Sequence, residues 1–196
     1  MPPPRATASK GRRRSRSVKI VVTGPFGAGK TTLIGTISEI PVLSTEKQVT
    51  DETRAVKPNT TVAMDFGRLT IDRELQLYLF GTPGQKRFDF MWQILAEGML
   101  GFIVLVDGQR DESLPEAREI LVFFRDVARV PYVVAVTKAA DDPDVAVKRA
   151  RAELDLDDAV RVVACDAHDR GSVKDVLLEL LYAALDDVGV EQPAAV

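Results

Sequence analysis

The segment Gly24-Pro25-Phe26-Gly27-Ala28-Gly29-Lys30-Thr31 satisfies the pattern G-x-x-x-x-G-K-[ST] at every fixed position. Glycines at those spacings let backbone N–H groups converge on a phosphate. The lysine adds a point charge between the outer phosphates, and the Thr31 hydroxyl can ligate Mg²⁺. Thr32 continues into a helix whose positive dipole end faces the same anion. At ordinary residue usage a chance match in a chain of 196 residues is roughly a one-in-a-hundred event.

Such a loop needs a strand to deliver it and a helix to receive it. Residues 18–23 read as a short buried strand, and a helix follows to about Ile40, where Pro41 stops it. A long polar loop, 44–59, comes next. Residues 61–67 and 75–80 read as two strands of an antiparallel hairpin with a turn near 70–73. Residues 101–107 and 132–136 are apolar throughout, as strands covered on both faces of a parallel sheet should be. Ser113-Leu114-Pro115-Glu116 has the form of a capping box opening a helix to about Arg129. A strand over 161–164 precedes Ser172, read as the cap of a last helix. Its apolar residues Val173, Val176, Leu177, Leu180, Leu181, Ala184 and Leu185 share one face.

With 45% hydrophobic residues, the chain suffices for one α/β domain, expected over 18–188 between a basic tail, 1–17, and a flexible end, 189–196. Cys165 is the single cysteine, so no internal disulfide can form. No apolar run reaches the length of a membrane span, and neither a secretory h-region nor a lipidation signal is present, so the expected location is the cytoplasm. Net charge is −3, but the tail carries Arg5, Lys10, Arg12, Arg13, Arg14 and Arg16 with no acid, and removing those six charges leaves −9 on the rest. The tail suits peripheral contact with the inner membrane face, or a solubilising leader. Nucleic acid is disfavoured, because the acidic body would repel it.

Three further segments fit the loop. Thr61, or Thr60 by a one-residue slip, opens a strand where a hydroxyl can reach Mg²⁺ and an N–H can reach a terminal phosphate. Gly81-Thr82-Pro83-Gly84-Gln85 ends the next strand, placing the Gly84 backbone beside that phosphate and Gln85 where it can orient an attacking water. Thr137-Lys138 ends a buried strand. With these in place the chain resembles the Ras-like small GTPases over 18–186. The phrases TTVAMDFG, FGTPGQ and VVACDAH resemble the bacterial conservon-type branch of actinobacteria, related to the gliding-motility switch GTPases.

The resemblance implies a P-loop NTPase fold, α/β, a Ras-like three-layer sandwich of a six-stranded mostly parallel sheet and about five helices. It implies GTP and GDP as ligands and Mg²⁺ as cofactor, held by Thr31 and Thr61, with Gln85, Lys30 and Thr61 serving catalysis. The nucleotide would lie on Gly24 to Thr32, Gly84, Thr137, Lys138, Asp141, Asp166, Ala167 and His168. Switch I would be 44–61 and switch II 82–92. A roadblock-type protein and products of a sensor-kinase operon would be the partners.

The chain departs from that pattern in three places. The aspartate that opens D-x-x-G is Gly81 here, with Asp51 and Asp65 the carboxylates available to replace it. The N-K-x-D signature aligns with Thr137-Lys138-Ala139-Ala140, so only its lysine remains and Asp141 falls one residue late. No arginine precedes the switch I threonine, Arg54 being the nearest, so hydrolysis should be slow, since an arginine finger accounts for ~10³–10⁵ in rate. The alternative is a non-hydrolysing scaffold that holds GTP or ATP.

Overall fold

The computed structural model describes residues 16–44, 64–83, 90–139 and 142–190. In chain order these form β1 (Arg16–Thr23), α1 (Lys30–Ile37), β2 (Leu43–Ser44), β3 (Asp65–Thr70), β4 (Leu75–Gly81) and α2 (Phe90–Ala96). There follow β5 (Met99–Asp107), α3 (Ser113–Val127), β6 (Tyr132–Thr137), α4 (Pro143–Glu153), β7 (Arg161–Cys165) and α5 (Arg170–Val190). One sheet takes all the strands in the order β2-β3-β4-β1-β5-β6-β7. β1 pairs in parallel with β4 and β5, and β6 and β7 continue the parallel run. Only β2 with β3 and the β3–β4 hairpin are antiparallel. Six long strands and five helices make the expected α/β sandwich. The two-residue β2 is an edge addition with too few residues to announce itself by alternation.

Alternation along the central strands builds two cores, because successive side chains point to opposite faces. Ile20 and Val22 of β1, Ile103 and Leu105 of β5, and Val133 and Ala135 of β6 meet Leu33, Ile34 and Ile37 of α1 and Val173, Val176, Leu177 and Leu180 of α5. Val21, Phe102, Val104, Val106, Val134 and Val136 face the other way, onto α2, α3 and α4. The α5 stripe is buried as its spacing requires, except for Leu181, which is half-buried, and Leu185, which stays two-thirds exposed.

Several boundaries differ from the sequence reading for identifiable reasons. β1 begins at Arg16, inside the expected tail, where its residues pair with β4 from Leu75 onward. α1 stops at Ile37, short of Ile40: Ser38 turns extended, and its Oγ accepts N–H bonds from Ile40 and from Arg68 of β3, each at 3.2 Å. Ser113 does not cap α3. Its buried hydroxyl instead accepts the Asp107 N–H at 2.8 Å, and Glu112 takes the cap position. Ser172 does not cap α5 either, because Asp169 Oδ2 accepts the Ser172 N–H at 2.7 Å while Ser172 Oγ accepts the Asp166 N–H at 3.0 Å. Both hydroxyls are engaged by strand ends, and that ties the loops at the C-terminal edge of the sheet to the helices behind them. α4 has only one buried residue, Ala150, and so no apolar stripe; it is set by the Asp142 side chain accepting the Val145 N–H, with Pro143 at its start.

Strand order reverses at β1, whose neighbours β4 and β5 lie on either side, so a crevice opens beyond the C-terminal ends of β1 and β5. The α2–α3 side is keyed there by an aromatic cluster: Phe124 is fully buried with ring centroids 5.2 Å from Phe102, 5.6 Å from Phe123 and 6.0 Å from Trp92. Phe124→Ala should cost about 3–5 kcal/mol in urea unfolding, because a cavity replaces the ring. A loss below about 1 kcal/mol would show that the cluster does not brace the sheet.

Candidate functional site

The loop between β1 and α1 lies directly on β5. Gly24 has φ 137°, and a Cβ there would stand 2.3 Å from the Leu105 carbonyl oxygen, so no other residue fits. Lys30, the first residue of α1, is 8% exposed, and its Nζ donates to the Gly24 and Pro25 carbonyls at 2.7 Å each. Burial lowers its pKa from the usual lysine value to about 8, while the nearby carboxylates Asp65 and Glu116 pull the other way. Phe26 is 63% exposed, so its ring is not part of the local packing. Its carbonyl accepts from Arg110 Nη1 at 2.5 Å. The next two carbonyls are also held: Gly27 O by Lys138 Nζ at 3.1 Å, and Ala28 O by Thr137 Oγ1 at 2.9 Å.

Thr31 faces a carboxylate. Its Oγ1 donates to Asp65 Oδ2 at 2.5 Å, and Asp65 is buried at the start of β3. Asp65 pairs with Gly81 in the antiparallel register of β3 and β4. A Cβ on Gly81 would come 3.0 Å from Asp65 Cβ and 3.3 Å from Asp65 Oδ2, so the two positions cannot both carry a side chain without one moving. Of the two carboxylates available to stand in for the missing aspartate, Asp65 is therefore the one beside Thr31, while Asp51 lies outside the described residues. The donor set, a hydroxyl and a carboxylate, is all oxygen and suits a hard divalent cation such as Mg²⁺. A hydroxyl that gives its proton to a carboxylate keeps its lone pairs for a metal. Immediately after Gly81, the Thr82 hydroxyl meets the Thr23 hydroxyl at 2.9 Å in a buried contact, fastening the end of β4 to the root of the loop.

On the other side of the loop a cleft of about 730 Å³ runs past Thr32 and Lys138 to Ala139, Pro143, Ala164 and the turn 165–168. Lys138, at φ 50°, crosses it with Nζ 2.6 Å from Asp107 Oδ2, a carboxylate 1% exposed at the end of β5. Asp166 Oδ1 accepts the His168 N–H at 2.9 Å, both residues being exposed. Ala167 is buried, with its carbonyl bonded by Thr36 Oγ1 at 2.6 Å. The Cys165 thiol is pushed up in pKa, chiefly by burial.

The fold thus brings together the predicted residues Gly24 to Thr32, Thr137, Lys138, Asp166, Ala167 and His168. Thr61, Gly84, Gln85, Arg54 and Asp141 lie outside the described residues. Sequence reading missed Asp107 and Arg110. An acid ending a wholly apolar strand marks Asp107, whereas nothing periodic marks Arg110, one charge in a polar turn. Among the described residues no cluster of three or more His, Cys, Asp or Glu is placed to hold a metal by itself.

Residues 22–149 match the model of a family described as conserved hypothetical ATP binding proteins. An uncharacterized protein of Methanocaldococcus jannaschii is 30% identical over 121 residues, 62% of this chain and 70% of that protein. Intraflagellar transport protein 22 of Chlamydomonas reinhardtii is 29% identical over 111 residues, 57% of this chain and 53% of that protein. The family span takes in the phosphate loop, Asp65, Gly81, Asp107 and Lys138 together. On that match and the loop geometry, the chain belongs to the conserved hypothetical ATP binding protein family, a family of P-loop nucleotide-binding proteins.

Proposed function

We propose that this protein is a Mg²⁺-dependent molecular switch that binds GTP and GDP, hydrolyses GTP slowly, and signals through the segments around Thr61 and Gln85. The observation that carries the reading is the Thr31–Asp65 pair facing Gly81. The carboxylate that a Ras-like site keeps on one strand is supplied here from its antiparallel neighbour. Lys30 balances charge on the outer phosphates, Thr31 and Thr61 hold the cation with Asp65 behind Thr31, and Gln85 orients the attacking water. The cation supplies charge neutralisation at the phosphate oxygens.

Slow turnover follows from the arginines. Among the described residues, the one touching the loop is Arg110, and it is engaged with the Phe26 carbonyl. A partner would then set the rate. The conservon-like phrases favour a roadblock-type protein and sensor-kinase products as partners. The reading places the protein in the cytoplasm, its basic tail meeting anionic lipid.

A second reading, adenine in place of guanine, is favoured by the family's description and by the cleft itself. Ala139, Pro143 and Ala164 line it, and Asp166 already accepts from its own turn. Titration calorimetry with GTP, GDP and ATP, with and without Mg²⁺, decides between the readings. Tight guanine binding that Mg²⁺ strengthens is expected; equal or better ATP binding transfers the site to adenine, and no heat with any nucleotide removes both.

Asp65→Ala should raise the Mg²⁺ concentration needed for triphosphate binding by about tenfold, the usual cost of losing an outer carboxylate. Moving the group across the strands, with Asp65→Gly and Gly81→Asp together, should recover most of it. An unchanged Mg²⁺ requirement in Asp65→Ala would exclude the carboxylate from the metal site.

The Lys30 ammonium is the form that binds phosphate, and its pKa in the free protein is about 8. Polyphosphate stabilises the charged form and raises that pKa, so protons are taken up on binding above pH 8 and not well below it. Affinity should be flat up to about pH 7 and fall by about tenfold per unit between pH 8.5 and 10. A profile flat to pH 10 would show that Lys30 stays charged without ligand.

A further inference from the structure

Arg110 lies in the turn between β5 and α3, held by its own N–H to Asp107 O at 3.3 Å and by the Ser113 N–H to Arg110 O at 3.1 Å. From there the side chain bends back over the phosphate loop. Nη1 donates to the Phe26 carbonyl at 2.5 Å, and Nη2 lies 3.7 Å from Glu116 Oε1 in the first turn of α3. A lysine could make either contact, but only a planar fork spans both at once. Arg110 and Glu116 are each more than a third exposed, so the ion pair itself contributes little and acts as an orienting contact.

The consequence comes from peptide geometry. In a planar trans peptide the carbonyl and the following N–H point in opposite directions. Gripping the carbonyls of Phe26, Gly27 and Ala28 from outside therefore aims the N–H groups of Gly27, Ala28 and Gly29 the other way. The Ala28 N–H does meet Pro25 O, at 3.3 Å, the same oxygen that Lys30 Nζ contacts at 2.7 Å, so amide and ammonium face one side. Two of the three grips come from the end of β6, through Thr137 and Lys138. The third comes from a different connection.

We propose that Arg110 is a positioning residue that locks the Phe26–Gly27 peptide so that the Gly27 N–H faces the polyphosphate, with Glu116 holding the guanidinium in register. This rests on the loop being the polyphosphate cradle, and it extends that reading to a residue outside the loop. The site would then discriminate by the number and placement of phosphates through a loop set before the ligand arrives.

The test uses the full chain, labelled with ¹⁵N, as wild type, Arg110→Ala and Arg110→Lys. Arg110→Ala is expected to move or broaden the Gly27 amide signal of the nucleotide-free protein while leaving that of Gly29, held by Thr137, near its place. It should also weaken GTP, ATP and inorganic tripolyphosphate alike by about tenfold, as loss of a charged hydrogen bond predicts. Arg110→Lys, which can keep a donor to Phe26 but not the fork that also reaches Glu116, should recover only part of both effects. An unmoved Gly27 signal in Arg110→Ala overturns the proposal, even with weakened binding, because charge acting on the ligand alone leaves the free loop unchanged. Binding within twofold of wild type overturns it as well. If wild type binds no nucleotide, the switch reading falls, and the Gly27 signal still decides the role of Arg110.

Discussion

The structure depends on one close approach, that of the Gly24 backbone to the Leu105 carbonyl of β5. Because β5 is buried on both faces, its backbone cannot retreat, and the chain leaving β1 must turn within the thickness of a peptide. That turn places Lys30 at the start of α1, deep enough for burial to depress its pKa. The neighbouring strand ends then have a fixed object to grip. Thr137 and Lys138 close β6 onto the loop, Asp107 at the end of β5 neutralises Lys138, and Thr82 at the end of β4 bonds Thr23. A parallel sheet brings all these ends to one edge without further design, since the strands β1, β4, β5, β6 and β7 run the same way.

Register imposes the second constraint. In an antiparallel pair, residues opposite one another share a face of the sheet, so a carboxylate delivered from Asp65 takes the room that a side chain at Gly81 would need. The space beneath α1 admits one side chain: a Cβ on Gly81 would press on Ile34 as well as on Asp65. The Thr31 hydroxyl meets the acid that β3 provides, at 2.5 Å. A chain can therefore exchange an aspartate at the end of β4 for one at the start of β3 and keep the hydroxyl–carboxylate contact. The exchange needs a glycine on the vacated side, and the chain has one.

Legibility in the sequence divides along the same line between local and non-local causes. The phosphate loop is contiguous, so its residues can be read directly, and β5 and β6 are plain because both faces are apolar. Asp65 is visible only as one of two acids, because pairing across strands is not a local property. Ser113 and Ser172 have the form of caps in sequence, yet their hydroxyls bond Asp107 and Asp166 N–H groups that only the folded sheet brings near. α4 escapes a sequence reading because a helix with Ala150 as its only buried residue leaves no periodic trace.

The altered Thr137-Lys138 sequence looks different once its two tasks are separated. A signature of this kind must hold the phosphate loop from behind and must read the base in front. Thr137 keeps the first task, since its short hydroxyl still reaches the Ala28 carbonyl, and Lys138 keeps its contact with Gly27 while Asp107 stabilises the ammonium at 2.6 Å. Where a Ras-like signature carries its base-reading carboxylate, this sequence has Ala140. Loss of the first task would loosen the amides that meet phosphate and weaken every nucleotide. Loss of the second bears on the preference between bases alone, because the carboxylate's bonds go to the base and not to the phosphates. A rigid phosphate cradle is therefore separable from the reading of the base, and the grip of Thr137 and Lys138 on the loop belongs to the cradle.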